Sequence, residues 1–144
     1  MHIVIPRDIA KKNKLKSANP EKVDDIFCSF EMINMLAINP IEGFRRDKNV
    51  TAFRSFLVEL DDGKLSEQMK YVKNKNMPYS ACVFSGGKSL HFVITLEEPL
   101  PSLNLYKQIS KWILNVMDKA DSQTSNPSRS VRFPGNLRRM DQND

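Results

Sequence analysis

The stretch FRSFLVELD, residues 53–61, alternates apolar and polar side chains with the period of two that is typical of a half-buried β-strand. One face of this strand carries the apolar side chains of Phe56, Val58 and Leu60. The other face ends on two carboxylates, Glu59 and Asp61, which stand two residues apart and therefore point to the same side. A half-buried strand seldom carries two acids on one face, so this pair is the first candidate for chemistry.

A second alternating stretch, SLHFVITL at residues 89–96, follows a Gly-rich turn, SGGKS, at residues 85–89. Its polar face begins with Ser89 and His91, which again share a side because they are two residues apart. Its apolar face carries Leu90, Phe92, Ile94 and Leu96. Each of the two strands therefore has one apolar face and one face with polar side chains that could take part in binding or catalysis.

Four more segments complete the pattern around these two strands. Leu65, Met69 and Val72 predict a short amphipathic helix that Pro78 ends, and residues 79–85 predict another strand. A longer helix follows Pro101, and a last short strand is expected around residues 131–133. The apolar stripe of the longer helix consists of Ile109, Trp112, Ile113 and Val116, which places Trp112 in the core.

The order from residue 53 is strand, helix, strand, strand, helix, strand, which predicts an α+β fold with a ferredoxin-like or RRM-like split βαβ core. In this arrangement one antiparallel sheet carries both helices on one face. The first and third strands are central neighbours, and the fourth strand pairs with the first. We expect a single domain over residues 1–144, with a core at 53–139 and an N-terminal extension at 1–52.

The N-terminal extension carries no motif of its own. Residues 2–5 predict a short strand, and the lysine-rich residues 7–18 predict a solvated loop or arm. Asn19 and Pro20 have the residue types of a helix start, and apolar residues at helical spacing continue as far as Ala37. Asn39-Pro40 is expected to end that helix. The extension is thus predicted to add a strand and a helix to the core.

Composition excludes several classes of protein. The chain of 144 residues has 22 Lys and Arg against 17 Asp and Glu, a formal net charge of +5, which permits a phosphate-rich partner. Two cysteines cannot form a disulfide framework, and with only two histidines beside them a four-ligand structural zinc site is nearly excluded. No apolar run approaches a membrane span, and the start has no signal-peptide core. We therefore expect a cytoplasmic protein.

The predicted topology brings polar side chains from separate stretches to one patch. The end of the first strand, with Glu59 and Asp61, lies beside the start of the third, because the two strands run antiparallel. Carboxylates bind hard divalent ions such as Mg²⁺ or Mn²⁺, and two such ions can support phosphoryl transfer. Glycine amides and basic groups can hold triphosphate oxygens. The groups that would join the patch are Lys88, Ser89, His91, Asp121, Arg129 and Arg132.

Each feature also has a purely structural interpretation. Asp61-Asp62-Gly63 and Gly86-Gly87 are ordinary turn sequences, and a histidine on a strand is usually a satisfied sheet residue. Arg138-Arg139 is the composition of a basic tail. The Gly-Gly-Lys-Ser turn does not match a P-loop, because the earlier glycine of that motif falls at Cys82. His91 also lacks the second histidine, two residues away, of rolling-circle nucleases of this fold.

In these residues the sequence resembles the archaeo-eukaryotic primase superfamily, the primase-polymerase (PrimPol-like) enzymes often found in phages, plasmids and other mobile elements. That family has an acid-x-acid pair that ends a strand, then Ser-x-His within or after a Gly-Gly-Lys turn, then an Asp followed by arginines. The matching stretches here are FLVELDD, SGGKSLHF and DSQTSNPSRSVRFPG, in that order. The resemblance covers residues 53–139.

The resemblance implies a polymerase site in which Glu59, Asp61 and Asp121 are catalytic and bind two Mg²⁺ or Mn²⁺ ions. It implies that the incoming nucleoside triphosphate is bound by Ser89, His91, Arg129 and Arg132, with Lys88 as a weaker candidate. The implied reaction is attack of a 3′-hydroxyl on the α-phosphate, with single-stranded DNA as template and a primer end as acceptor. A helicase or an accessory priming domain outside this chain is the implied protein partner.

The sequence also departs from the family pattern. Its first motif is Glu-x-Asp instead of the commoner Asp-x-Asp or Asp-x-Glu, and Asp118 competes with Asp121 for the third acid. The spacing to Arg129 and Arg132 favours Asp121. No accessory domain is present, so the chain is either a catalytic fragment or a minimal protein that works with partners. Two other functions stay open, a catalytically idle RRM-like module that binds nucleotides or single-stranded nucleic acid, and a nuclease.

Overall fold

A computed structural model of the chain describes residues 3–4, for which only the backbone is considered, and residues 35–135. Within these ranges neither α-helix is long and apolar enough to cross a membrane. The helices are α1 (Leu65–Asn74) and α2 (Leu103–Val116), with short 3-10 helices at Asp47–Asn49 and Ser122–Ser125. The strands are β1 (Ile3–Val4), β2 (Met35–Ala37), β3 (Phe53–Leu60), β4 (Ala81–Phe84), β5 (Leu90–Leu100) and β6 (Ser130–Arg132).

The central sheet has the order β3-β5-β4 and is antiparallel throughout. Its register sets Glu59 of β3 directly opposite His91 of β5, and Leu60 opposite Leu90. The α+β class and the central antiparallel pair are therefore confirmed. β5 is longer than its alternating stretch predicts, because pairing with β3 continues to Leu100, opposite Phe53.

The predicted pairing of the last strand with the first is wrong. β6 instead pairs antiparallel with β2, and β1 pairs with the other edge of β2, so that β1, β2 and β6 form a second three-stranded sheet. The outer edge of β3 is contacted by the loop before β6, where the Asp121 N–H donates to the Glu59 carbonyl at 2.9 Å. This loop thus bonds to the edge of β3 at which the predicted topology places the last strand.

The predicted helix of the N-terminal extension is wrong at its C-terminal end. Met35–Ala37 is a strand, because its backbone groups pair with β1 on one side and with β6 on the other. Helical spacing of apolar residues does not exclude a strand in a stretch this short. Residues 19–34 of that helix, the predicted arm at 7–18 and the end of the predicted core at 136–139 lie outside the described residues. The strand predicted at residues 2–5 is confirmed at Ile3–Val4.

The main core lies between the central sheet and the two helices. Phe56 of β3 stacks on Tyr106 of α2 with ring centroids 4.5 Å apart, and both are almost fully buried. Trp112, predicted to be in the core, is 61% exposed. The buried face of α2 runs through Tyr106, Ser110 and Ile113, so that Trp112, about 100° from Ile113 around the helix, points outward.

A second, smaller apolar cluster joins the two sheets. Leu57 of β3 and Val83 of β4 lie on the face of the central sheet opposite the helices. They pack against Val131 of β6, with Leu36 of β2 at the margin. The face that the sequence leaves open or covered by the N-terminal extension is thus partly covered by the second sheet. The remaining part of this face, at the ends of β3 and β5 where Glu59 and His91 lie, forms a cleft.

A single buried amide ties the connection between the sheets to β3. Asn39 is 2% exposed and its Oδ1 accepts from the backbone N–H groups of Arg54 and Ser55 at 2.9 and 2.7 Å. Its Nδ2 donates to the carbonyls of Ser55 at 2.9 Å and Pro127 at 3.0 Å. The pairing of β3 with β5 shifts register between Phe53 and Ser55, so Asn39 satisfies backbone groups at an irregular sheet edge.

Replacement of this amide is predicted to destabilise the whole fold. Asn39→Ala removes four hydrogen bonds and leaves buried backbone groups unpaired, which should lower the free energy of unfolding by about 3 kcal/mol. Asn49→Ala is the matched control, because Asn49 makes one exposed side-chain hydrogen bond, to the Phe44 carbonyl at 2.7 Å. Its expected cost is below about 1 kcal/mol. Urea denaturation of both variants measures the difference, and equal costs would contradict the role given to Asn39.

Candidate active site

The cleft between the two sheets has a volume of about 400 Å³. The central sheet and its Gly-rich turn form one wall, and β2, β6 and two loops form the other. Four lining side chains are basic, whereas one, Glu59, is acidic, so the cleft is suited to an anion. The lining residues are Met35, Arg45, Glu59, Ser85, Lys88, Ser89, His91, Arg129, Ser130 and Arg132.

Glu59 and His91 face each other across the β3–β5 pair at the base of the cleft. Nε2 of His91 lies 3.3 Å from Oε1 of Glu59, and the two side chains are 6% and 23% exposed. This distance is within ion-pair range, but the direction of approach is not that of a hydrogen bond, and neither ring nitrogen has a hydrogen-bond partner among the described residues. Among the described residues, His91 therefore contacts Glu59 at ion-pair distance, and its ring makes no further hydrogen bond.

The surroundings of Glu59 keep its carboxylate charged. The His91 imidazole beside it lowers the pKa of Glu59 below its ordinary value, against the opposing effect of partial burial. The positive charge of Arg129 acts in the same direction as His91. A carboxylate that stays ionised, next to a buried imidazole with unsatisfied nitrogens, can coordinate or orient a bound ligand.

The Gly-rich turn closes as a compact hairpin that holds Ser89 in place. The Ser85 N–H donates to the Ser89 carbonyl at 3.0 Å, and the Ser89 N–H donates to the Ser85 hydroxyl at 3.2 Å. Gly86 has φ of +80°, a left-handed conformation that favours glycine. Ser89 and Lys88 both line the cleft, in agreement with the sequence prediction.

Asp61 lies at the rim of the cleft and not within its lining. Its Oδ2 is 3.5 Å from Nζ of Lys88, and both side chains are at least half exposed, so the pair contributes little to stability. Asp61 begins a turn in which Gly63 has φ of +76°, and a Cβ there would approach Oε2 of Glu67 to 2.9 Å. The turn therefore requires glycine, and its shape sets where the Asp61 carboxylate stands.

Asp121 is close to Glu59 through the backbone but does not line the cleft. Its N–H donates to the Glu59 carbonyl, while its carboxylate accepts from the Gln123 N–H at 2.9 Å and caps the 3-10 helix. Asp118 is engaged elsewhere, because it accepts from the Tyr71 hydroxyl at 2.6 Å and pairs with Lys75 at 3.1 Å. Of the two competing acids, Asp121 is therefore the one near the candidate site.

The donor atoms of these acids suit a hard divalent cation, but the described residues do not gather them into a finished site. No group of three or more His, Cys, Asp or Glu side chains in residues 35–135 is close enough to hold a metal ion. Glu59 stands near the end of β3 and Asp61 directly follows that strand, and both offer carboxylate oxygens. Asp121 does not line the cleft, and one of its two carboxylate oxygens accepts from the Gln123 N–H. The metal set stays a prediction.

Sequence reasoning missed four residues of the cleft, Met35, Arg45, Ser85 and Ser130. Ser130 is buried, and its hydroxyl has no hydrogen-bond partner among the described residues. Nη1 of Arg45 donates to the Ser128 carbonyl at 3.1 Å, which holds the arginine against the cleft wall. No local pattern marks Arg45, since it stands in a polar loop and reaches the cleft only through long-range contacts with the loop before β6.

Asp47 fastens the Arg45 loop to the loop before β6. Its Oδ1 accepts from the Ser128 hydroxyl at 2.7 Å, from the Ser128 N–H at 3.2 Å and from Nδ2 of Asn126 at 3.4 Å. Burial alone would raise the pKa of Asp47, but the hydrogen bonds from Ser128 and Asn126 outweigh it and lower the pKa below its ordinary value. The two loops that supply Arg45 and Arg129 are thus held together by one charged group.

Comparison with known proteins supports the fold on which this geometry rests. No protein-family model and no curated protein sequence matches the chain. Among solved structures, the AEP domain of the primase-polymerase (PrimPol) of cyanophage S-2L matches with a TM-score of 0.63 and 22% sequence identity. The match covers 92% of this chain and 70% of the phage domain. The chain shares the fold of that domain.

The Asp47 clamp is predicted to make stability depend on pH. A carboxylate whose folded pKa is depressed adds stability above its unfolded pKa, about 3.9, and loses it as pH falls through the folded value. Wild type should therefore exceed Asp47→Asn in melting temperature at pH 6, and the difference should shrink towards pH 3. Glu42→Gln removes one charge from the same loop and is the control. Thermal denaturation measures both, and a difference that stays constant with pH would refute this role of Asp47.

Proposed function

We propose that the chain is a metal-dependent nucleotidyltransferase of DNA replication, a primase or primase-polymerase that adds nucleotides to a 3′-hydroxyl on a DNA template. One observation carries the proposal. Four basic side chains converge on a cleft whose base holds an ionised Glu59, 3.3 Å from a buried His91 whose ring nitrogens make no hydrogen bond to the described residues. A cleft with cations on its walls and an acid at its base has the charges that a metal–triphosphate complex requires.

The basic groups would bind the triphosphate. Arg129 and Arg132 lie on the wall formed by β6, and Lys88 lies on the Gly-rich turn opposite. Guanidinium groups bind phosphate oxygens through paired, charge-assisted hydrogen bonds. Ser89 and His91, both buried and both lining the cleft, would add directed hydrogen bonds from its base. The buried hydroxyl of Ser130 adds a further donor that has no other described partner.

The acids would hold Mg²⁺ or Mn²⁺. Glu59 and Asp61 would be ligands, and Asp121 would join them through the carboxylate oxygen that does not accept from the Gln123 N–H. A divalent ion bound there would supply positive charge against the triphosphate and the attacking oxygen. The chain's own task is to align a 3′-hydroxyl with the α-phosphate, so that the new O–P bond forms as the bond to the leaving pyrophosphate breaks.

Template, primer and protein partners belong to the same proposal. Single-stranded DNA would have to approach the open side of the cleft, near Lys88 and Asp61, so that a primer end reaches the α-phosphate. A helicase or an accessory priming domain would act with the chain during replication of a phage or another mobile element. The phage origin of the structurally similar primase-polymerase domain supports this setting.

A catalytically idle nucleotide-binding module is the second candidate. It is favoured by one observation, the engagement of the Asp121 carboxylate with the Gln123 N–H instead of with the cleft. Such a module would bind triphosphates through the four basic side chains without needing a metal. The two functions therefore differ in metal dependence.

Metal dependence is tested by thermal unfolding with a nucleoside triphosphate, with and without Mn²⁺. A ligand at a hundredfold excess over its dissociation constant stabilises the folded state by about 2.7 kcal/mol. We expect a stabilisation that needs Mn²⁺ and that Asp61→Ala abolishes. Asp62→Ala is the matched control, because Asp62 lies next to Asp61 in the exposed turn, but its carboxylate accepts from the Gly63 N–H at 2.9 Å, whereas that of Asp61 contacts Lys88 of the cleft. Stabilisation of equal size without Mn²⁺ would favour the binding module.

The anion-binding role of Arg45 is tested separately. Arg45→Met keeps an unbranched side chain but removes the charge, so triphosphate affinity should fall about tenfold, the effect of one lost charge-assisted hydrogen bond. Arg54→Met is the control, since Arg54 bonds the Leu96 carbonyl at 2.6 Å and does not line the cleft. Isothermal titration of both variants measures the affinity. An unchanged affinity in Arg45→Met would remove Arg45 from the site.

A further inference from the structure

Gln68 of α1 is a buried polar side chain that contacts both predicted motif turns. It is 3% exposed, although it stands on a helix face that otherwise buries apolar residues such as Val72. Its Nε2 donates to the carbonyl of Lys88 at 2.8 Å and to the carbonyl of Gly63 at 3.2 Å. Its Oε1 accepts from the Leu90 N–H at 3.0 Å. All three atoms that it contacts belong to backbone near the candidate site.

The contacts of Gln68 fall where regular pairing of the two central strands ends. Leu60 opposite Leu90 is the last backbone pair between β3 and β5. Beyond it the chain turns away on both sides, into the turn with Asp61 and Gly63 and into the Gly-rich turn with Lys88 and Ser89. Gln68 joins these two turns through one amide. It therefore replaces the backbone pairing that would otherwise fix their separation.

No other described contact fixes that separation as firmly. The ion pair between Lys88 and Asp61 also spans the two turns, but both side chains are largely exposed and the charged atoms are 3.5 Å apart. Exposed pairs of this kind move freely and are screened by salt. A buried amide with all its bonds made is rigid by comparison, because breaking one bond leaves a desolvated polar group unpaired.

The choice of glutamine at this position is itself informative. An apolar side chain of similar size would pack on the core beside Val72 without any polar group to satisfy. Glutamine is instead matched atom by atom to two carbonyls and one N–H, and the three groups flank Asp61 on one side and Ser89 on the other. Such a match satisfies the backbone groups of both turns and at the same time fixes the relative position of the two turns.

We propose that Gln68 is a positioning residue that sets the distance between the Asp61 carboxylate and the Ser89–His91 segment. The inference rests on the proposed nucleotidyltransferase function and deepens it. Gln68 touches neither the cleft nor any ligand, since it does not line the cleft. It acts through the Gly63, Lys88 and Leu90 backbone. Its loss therefore affects metal-dependent binding of a nucleotide more than the basic groups' own attraction for phosphate.

The test compares Gln68→Met with Val72→Ala. Methionine keeps the length of the side chain and removes all three hydrogen bonds, whereas Val72→Ala destabilises the same helix without touching either turn. Each variant is first shown to be folded at the temperature of the assay. Affinity for a nucleoside triphosphate is then measured with and without Mn²⁺. We expect Gln68→Met to lose about tenfold in affinity with Mn²⁺ and little without it, and Val72→Ala to match wild type in both.

Each outcome has a distinct meaning. Wild-type affinity in folded Gln68→Met would overturn the positioning role while leaving the proposed function intact. An equal loss in Val72→Ala would also overturn it, because general destabilisation would then explain the effect. Absence of nucleotide binding by wild type would overturn the proposed function itself. If Gln68→Met does not fold, Gln68→Glu takes its place, since it keeps the acceptor for Leu90 and loses both donors, and the same loss is expected.

Discussion

The four hydrogen bonds of the buried Asn39 amide are the constraint on which the two-sheet arrangement depends. They attach the chain that leaves β2 to the irregular edge of β3 and, through Pro127, to the loop that leads into β6. Without this attachment the second sheet would contact the first mainly through the small cluster around Leu57 and Val131. The cleft exists because the amide holds two separately folded layers at a fixed offset, so that β6 faces the ends of β3 and β5 instead of pairing with them.

That offset gives the cleft its electrostatic character. The second wall carries arginines from β6, from the loop before it and from the loop after β2. Glu59 and His91 belong to the central sheet, so the arginines face them across the cleft. Had the last strand paired with β3, its arginine would have stood beside Glu59 in one sheet, with no gap between them. Separation on two walls instead leaves room between them for a ligand with negative charges and a cation.

The sequence predicts this molecule well where structure is local. Alternation in residues 53–61 and 89–96 is sufficient to orient Glu59, Ser89 and His91, because the pleat of a strand fixes which side chains share a face. Prediction from the sequence fails where a side chain makes the hydrogen bonds that backbone groups would make in a regular sheet. Nothing in the pattern around Asn39 indicates that its amide satisfies the edge of β3, and so the position of β6 was predicted wrongly. Arg45 was missed for a similar reason, since its place depends on hydrogen bonds between Asp47 and Ser128, which are 81 residues apart. The prediction that Trp112 lies in the core is wrong for a different reason. The apolar stripe of a helix is defined by the sequence only to within one residue at its margin, and Trp112 lies just outside the buried stripe.

The small apolar cluster between the sheets has a consequence for motion. Among the described residues, the layer of β1, β2 and β6 shares few buried side chains with the central sheet, and Asn39 supplies its polar attachment to β3. Local opening needs less free energy where little apolar surface is exposed, so the two sheets can part while the core beneath the helices stays folded. In the part of the chain that the structure describes, the second sheet is therefore the layer expected to open first, and the Asn39 hydrogen bonds are the contacts that resist this opening.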